Sequence, residues 1–99
     1  MTQPTTHPMT LADDLPRATR VRVLFFGPVR VRLGVANCDL ACAKEMSTSS
    51  FWSQLIECYP ELAALRSSVR LARNGEFLGD GAKVGPGDEM ALIPPVTGG

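Results

Sequence analysis

The last six residues are the part of the sequence with the clearest chemical potential. They are Pro94, Pro95, Val96, Thr97, Gly98 and Gly99. Proline has no amide hydrogen to donate, so the two prolines favour an extended exit away from a sheet. Six extended residues reach up to about 20 Å, at about 3.3 Å each. The segment is suited to pass through a narrow channel and to present the Gly99 carboxylate at its end.

A terminal carboxylate needs activation before it takes part in acyl chemistry. The simplest activated form is an acyl-adenylate, which a partner enzyme would make from ATP. The alternative is that Gly98 and Gly99 are an ordinary frayed terminus without a function. The tail alone leaves both interpretations open.

The rest of the chain offers few residues for catalysis. It contains one histidine, His7, and no nucleotide-binding glycine motif or HExxH motif. The three cysteines form no CxxC pair, which predicts small packed side chains rather than a disulfide framework or a metal site; they are Cys38, Cys42 and Cys58. Asp88 and Glu89 are neighbours that would point to opposite faces of a strand, so they are expected to complete a turn.

Charge and hydropathy exclude several classes of protein. Ten basic and ten acidic residues give a net charge of zero, which argues against a nucleic-acid partner. No apolar run approaches the roughly 18 residues of a membrane helix, so no membrane partner is expected. Free cysteines are typical of a reducing compartment, and we expect a cytosolic location. Four arginines cluster in sequence and form either a solvated surface or a site for an acidic partner; they are Arg20, Arg22, Arg30 and Arg32.

Hydrophobic periodicity in the first half predicts strands and one main helix. Residues 21–26 alternate with apolar side chains on both faces, which is typical of an internal strand. Residues 29–33 fit either a strand or a helical turn that packs its apolar residues inward. Residues 37–43 alternate again and predict a second strand. A Ser/Thr cluster at 47–50 then caps a helix over 51–59, which Pro60 ends.

The second half predicts short strands joined by turns. A short helical piece over 61–68 precedes a strand at 69–73, the hairpin turn Asn74-Gly75 and a short strand at 76–78. A turn-rich stretch follows, and the last strand covers 90–93.

We expect an α+β fold in which a mixed sheet of four or five strands packs on one main helix, with the first and last strands parallel in the centre. This is the ubiquitin-like β-grasp arrangement, and a ferredoxin-like fold is its rival. The predicted organisation is a disordered leader at 1–19, the β-grasp domain at 20–93 and an extended Gly-Gly tail at 94–99.

Two segments resemble a known family. The run PGDEMALIPPVTGG at 86–99, together with VRVLFFGPVR at 21–30, is similar to the small sulfur-carrier subunits of molybdopterin synthase, which are ubiquitin-like sulfur carriers. The resemblance covers about 21–99. Carriers for thiamine synthesis and tRNA thiolation share Gly-Gly but usually lack the two prolines before it. Residues 1–19 have no counterpart in the family, and no cysteine belongs to its motif.

The resemblance implies a role for each part of the tail. An activating enzyme similar to ubiquitin-activating enzymes would adenylate Gly99 with ATP, and sulfur transfer would make a terminal thiocarboxylate. Residues Pro94 to Gly98 would occupy a channel in the large subunit, where the sulfur attacks cyclic pyranopterin monophosphate. The chain would bind no cofactor stably and would donate sulfur within a two-plus-two heterotetramer whose catalytic pocket lies on the large subunit. The positions that match the family's docking surface are Phe26, Arg30, Phe77 and Ile93, unless they serve only in packing.

Three alternatives stay open at this point. The chain could carry sulfur for another pathway, such as thiamine synthesis or tRNA thiolation. It could be a ubiquitin-like protein modifier joined to target lysines through Gly99. It could also be a non-catalytic interaction module in which the sheet and the arginines bind a partner and the tail is incidental.

Overall fold

Two β-sheets and three α-helices make up residues 19–95, the part of the chain that this computed structural model describes. The strands are β1 (Arg20–Phe25), β2 (Asn37–Ala41), β3 (Met46–Ser47), β4 (Arg70–Arg73), β5 (Glu76–Phe77), β6 (Lys83–Val84) and β7 (Glu89–Ile93). The helices are α1 (Gly27–Leu33), α2 (Thr48–Cys58) and α3 (Leu62–Leu65), followed by a 3₁₀ turn at Arg66–Ser68. Most of the predicted leader, residues 1–18, lies outside the described residues.

The larger sheet has five strands in the order β2-β1-β7-β4-β5. β7 occupies the centre and runs parallel to β1, with Phe25 opposite Leu92, while β4 pairs with β7 in the antiparallel sense. The predicted parallel pair of first and last strands is therefore confirmed. One helix of about three turns lies between the two halves, which is the β-grasp arrangement rather than the ferredoxin-like rival with two crossover helices.

Helix α2 forms where the sequence supplies both a cap and an apolar stripe. The Ser47 hydroxyl accepts a hydrogen bond from the Ser50 amide at 3.1 Å, which satisfies one free donor of the first turn. Phe51, Trp52 and Leu55 are buried against one face of the large sheet. We call this side of the sheet, which α2 covers, the helix side. Full burial of each such side chain contributes about 1.5–3 kcal/mol.

The stretch after β1 is a helix, and its packing differs from the expectation. Val29 is buried, but Val31 is 82% exposed. Residues four apart share a helix face, whereas residues two apart lie on nearly opposite sides. Only one face of α1 can therefore reach the core, and the prediction that all of its apolar residues point inward was wrong. Gly34 ends the helix with a left-handed φ of 76°.

A second, two-stranded sheet lies where the sequence predicted only turns. β6 pairs with β3 in the antiparallel sense, and Val84 is fully buried. A strand of two residues is too short to show alternation, and the surrounding glycines mask it. The Asn74-Gly75 turn is confirmed, with φ of 51° and 91°. Asp88 completes the turn before β7 as predicted, because its carboxylate accepts a hydrogen bond from the Gly85 amide at 2.8 Å.

Between residues 19 and 95, no helix is both long enough and apolar enough to cross a bilayer.

Candidate functional site

The base of the tail is fixed at the end of the central strand. β7 ends at Ile93, and Pro94 is half-buried while Pro95 is exposed. Gly27 has a φ of +54°, and a Cβ built on it would lie 3.1 Å from the Pro94 side chain. That approach is closer than real Cβ contacts normally allow, so Gly27 satisfies both the backbone turn and the packing of Pro94. The predicted functional residues Val96, Thr97, Gly98 and Gly99 lie outside the described residues.

One face of the large sheet points away from α2, and we call it the open face. Met90 and Leu92 of β7 are buried on the helix side, so the alternate residues of β7 and of the strands beside it face the other way. The cross-strand register places the following side chains on the open face: Arg20, Arg22 and Leu24 of β1, Asp39 of β2, Arg70 and Ala72 of β4, Phe77 of β5, and Glu89, Ala91 and Ile93 of β7. The strip beside the tail is thus apolar except for Arg70.

The structure places the four predicted docking residues in two positions. Because Phe25 is opposite Leu92, the next residues, Phe26 and Ile93, are neighbours where the two central strands end. Arg30 lies one turn into α1, and its amide donates to the Phe26 carbonyl at 3.4 Å. Phe77 lies two strands away from Ile93, on β5. Phe26 is 45% exposed and Phe77 is 52% exposed, so both rings are available to a partner.

Arg70 joins these positions and was missed in the sequence analysis. It pairs with Ile93 across β4 and β7, and its guanidinium carbon lies 3.9 Å from the centre of the Phe77 ring. Val69, Arg70 and Leu71 alternate in hydropathy, which puts Arg70 on the strand face opposite to the two apolar residues. The contact with Phe77 follows only from the hairpin register, in which Phe77 pairs with Ala72.

The four arginines do not act as one cluster. Arg20 and Arg22 of β1 bind the two carboxylate oxygens of Asp39 at 3.1 and 3.3 Å, and Asp39 is only 4% exposed. Arg30 and Arg32 lie on α1 instead. Asp39 balances one of the two positive charges of this strand pair, and β2 places it directly opposite Arg22. This contact contradicts the expectation that all four arginines are either simply solvated or free for an acidic partner.

We expect Asp39→Asn to destabilise the fold. The change keeps the side-chain volume but replaces the carboxylate, which accepts hydrogen bonds from two arginines, by a neutral amide. Hydrogen bonds to charged groups contribute about 1–3 kcal/mol to the free energy of unfolding. The arginines are partly exposed, so we expect a loss near the lower end, about 1–2 kcal/mol. Urea denaturation measures this loss of unfolding free energy. Asp80→Asn, in an exposed turn, is the control and should stay within about 0.5 kcal/mol. Equal effects for the two variants would contradict the role of Asp39.

The cysteines are packed as predicted. Cys38 and Cys42 are buried, and Cys58 is half-buried. Burial raises the pKa of the Cys42 thiol, and the Asp88 carboxylate raises it further. Burial also raises the pKa of the Cys58 thiol, with a smaller effect from Glu57. Both thiols are protonated at neutral pH and are poor nucleophiles.

Among residues 19–95, no three His, Cys, Asp or Glu side chains come together in a group that could hold a metal ion.

The fold and the position of the tail base define a ubiquitin-like β-grasp protein. Residues 23–99 match the ThiS family, and the chain belongs to that family. The molybdopterin synthase sulfur carrier subunit of Arabidopsis thaliana is 34% identical over 89 residues, which cover 90% of this chain and 93% of that protein.

Solved structures share the fold. SAMP1 from Haloferax volcanii is similar with a TM-score of 0.71 and 23% identity, over 81% of this chain and 99% of that one. A chain in the complex of subunits 1 and 2 of the molybdopterin-converting factor from Helicobacter pylori has a TM-score of 0.54 and 24% identity, over 81% and 99%. The predicted β-grasp fold is confirmed.

Proposed function

We propose that the chain is the sulfur carrier subunit of a molybdopterin synthase. The observation that carries the proposal is the match over residues 23–99, because it extends through the final glycine. The relative from Arabidopsis thaliana that bears this name covers nearly the whole chain. The base of the tail supports the proposal as well, since Pro94 follows the end of the central strand and packs close to Gly27, the residue after the exposed Phe26.

The proposed chemistry takes place at Gly99. Its carboxylate attacks the α-phosphate of ATP on an activating enzyme of the ubiquitin-activating type, which releases pyrophosphate and forms an acyl-adenylate. A sulfur nucleophile then displaces AMP and leaves a thiocarboxylate. Thiolate-like sulfur is a far better nucleophile at neutral pH than a carboxylate oxygen. Two such sulfur atoms, delivered in turn to cyclic pyranopterin monophosphate, form the dithiolene of molybdopterin.

The proposed partner is the large subunit of the synthase. The Helicobacter pylori structure is a complex of subunits 1 and 2 of the molybdopterin-converting factor, and one of its chains shares this fold. On this proposal the tail from Pro94 to Gly98 enters the large subunit, which supplies the catalytic pocket, and two copies of each subunit form the heterotetramer. Phe26, Arg30, Phe77 and Ile93 contact the large subunit. The cytosol, where thiols stay reduced, is the proposed location.

Intact mass spectrometry tests the proposal. The full-length chain is incubated with its activating enzyme, ATP and a sulfur donor. The expected product has one oxygen replaced by sulfur, and fragmentation places the change at Gly99. The thiolated chain should then yield molybdopterin with the large subunit. Sulfur on a cysteine, or isopeptide conjugates to lysine in its place, would contradict the proposal.

We expect Gly27→Ala to slow sulfur delivery. The new Cβ meets Pro94 at 3.1 Å, so the tail base must shift, and small misplacements of a reacting group reduce rates by about fivefold or more. The positive φ also costs about 1–2 kcal/mol of stability. Gly34→Ala is the matched control, because Gly34 has a φ of +76° and open space where its Cβ would be. It should lose similar stability and keep the rate of molybdopterin formation. A slow Gly34 variant would contradict the role of the Pro94 contact.

A further inference from the structure

Arg70 lies between the two parts of the docking surface. It is opposite Ile93, the last strand residue before the tail, and its guanidinium covers the Phe77 ring at 3.9 Å. Phe77 nevertheless keeps 52% of its surface exposed. A partner that covers the Phe77 ring and receives the tail must therefore also meet the Arg70 side chain.

Among residues 19–95, no ion pair balances the charge of Arg70. At the far end of the open face, two cations and two anions lie on adjacent positions, and they are Arg20, Arg22, Asp39 and Glu89. Arg70 is at the tail end, and across residues 19–95 no carboxylate lies within ion-pair distance of it. Its positive charge is therefore presented to whatever binds beside the tail.

The contact with Phe77 prepares Arg70 for recognition. A free arginine side chain loses rotamer entropy when a partner immobilises it. Cation–π contact already restricts the side chain in the unbound carrier. A guanidinium that lies over a ring still has N–H donors along its edge, and these match a carboxylate in a bidentate geometry.

We propose that Arg70 is a specificity-determining residue of the open face, which selects a partner that carries a carboxylate beside its apolar seat for Phe77. The inference rests on the proposed function, because it takes the large subunit as that partner. The carboxylate steers the carrier and fixes the register in which Ile93 and the tail meet the channel. The apolar contacts of Phe26 and Phe77 supply affinity, whereas the Arg70 pair supplies orientation and a dependence on ionic strength.

Binding of full-length carrier variants to the large subunit tests this inference. At about 50 mM salt, Arg70→Met should bind about tenfold more weakly than the unchanged chain, and at about 500 mM the difference should fall below about twofold because exposed charges are screened. Arg70→Lys keeps the charge without the bidentate edge and should lie between the two. Arg66→Met is the matched control, because Arg66 lies 5.4 Å from the centre of the Trp52 ring, and Trp52 packs on the helix side. Its affinity should not change.

Two results would overturn the inference. One is equal affinity of Arg70→Met and the unchanged chain at low salt. The other is a loss that does not depend on salt or that Arg66→Met shares, since this indicates a structural role for the arginine. The proposed function fails in a different way, through absence of sulfur at Gly99 in the unchanged chain.

Discussion

Removal of Gly99 is expected to abolish sulfur delivery and to leave the fold unchanged. The shortened chain still ends in glycine, so its terminal chemistry is the same, but its carboxylate lies about 3.3 Å short of its former position. Misplacement of a reacting group by about 1 Å can reduce a rate 100-fold. We expect a loss of at least that size in both thiolation and molybdopterin formation. An additional glycine after Gly99 should have an equally large effect, because it displaces the carboxylate in the opposite direction.

The control for this experiment keeps the length of the tail. Thr97→Ser changes one side chain and should retain most of the activity. Thermal unfolding should be the same for all of these variants, because the sheet ends at Ile93 and the buried core lies between Val21 and Leu92. If the shortened chain still delivered sulfur, the reacting group would not be the terminal carboxylate. If it melted in proportion to its loss of activity, the tail would be part of the fold.

Phe26→Asp is expected to separate binding from stability. Phe26 is 45% exposed at the end of β1, and if it docks on the large subunit as proposed, a charge there would have to be desolvated on binding. Central aromatic residues of interfaces contribute about 2–4 kcal/mol, so affinity should fall about 100-fold. Phe26 is also the N-cap residue of α1 and makes no side-chain cap bond. Aspartate is among the best N-cap residues, and its cap contributes about 1 kcal/mol, which offsets part of the apolar contact that is lost.

Val31→Asp is the matched control for Phe26→Asp. Val31 is more exposed than Phe26 but lies on the outer side of α1. Calorimetric titration with the large subunit should show a loss of affinity only for Phe26→Asp, while chemical denaturation should show changes within about 1 kcal/mol for both variants. Equal affinities would show that the interface lies elsewhere on the molecule.

The sequence predicted those parts of the fold that depend on local patterns. Strand β1 and helix α2 show clear periods, and the Asn74-Gly75 turn depends on two residues that tolerate positive φ. The β3–β6 pair has two residues in each strand and joins segments that are far apart in the chain. No local pattern could have shown it.

The candidate site likewise has one part that the sequence predicts and one part that depends on contacts between distant residues. The tail can be recognised directly in the sequence, since Pro94, Pro95 and the two final glycines lie within six consecutive residues. The contacts that surround its base join residues far apart in the chain, such as Gly27 with Pro94 and Arg70 with Phe77 and Ile93. Asp39 lies on the open face of its strand, and only the register with β1 shows that two arginines bind and bury it. Such contacts depend on strand order, which a single sequence does not encode in any short window.

The central position of β7 has a mechanical consequence. If the chain acts as proposed, its tail enters a partner and is withdrawn again, and the strand that precedes the tail bears the tension. That strand is hydrogen-bonded on both sides, to β1 and to β4, so a pull along its axis loads both ladders together instead of opening them one bond at a time. The proposed sulfur delivery therefore places its mechanical load on a strand that two neighbours hold in place.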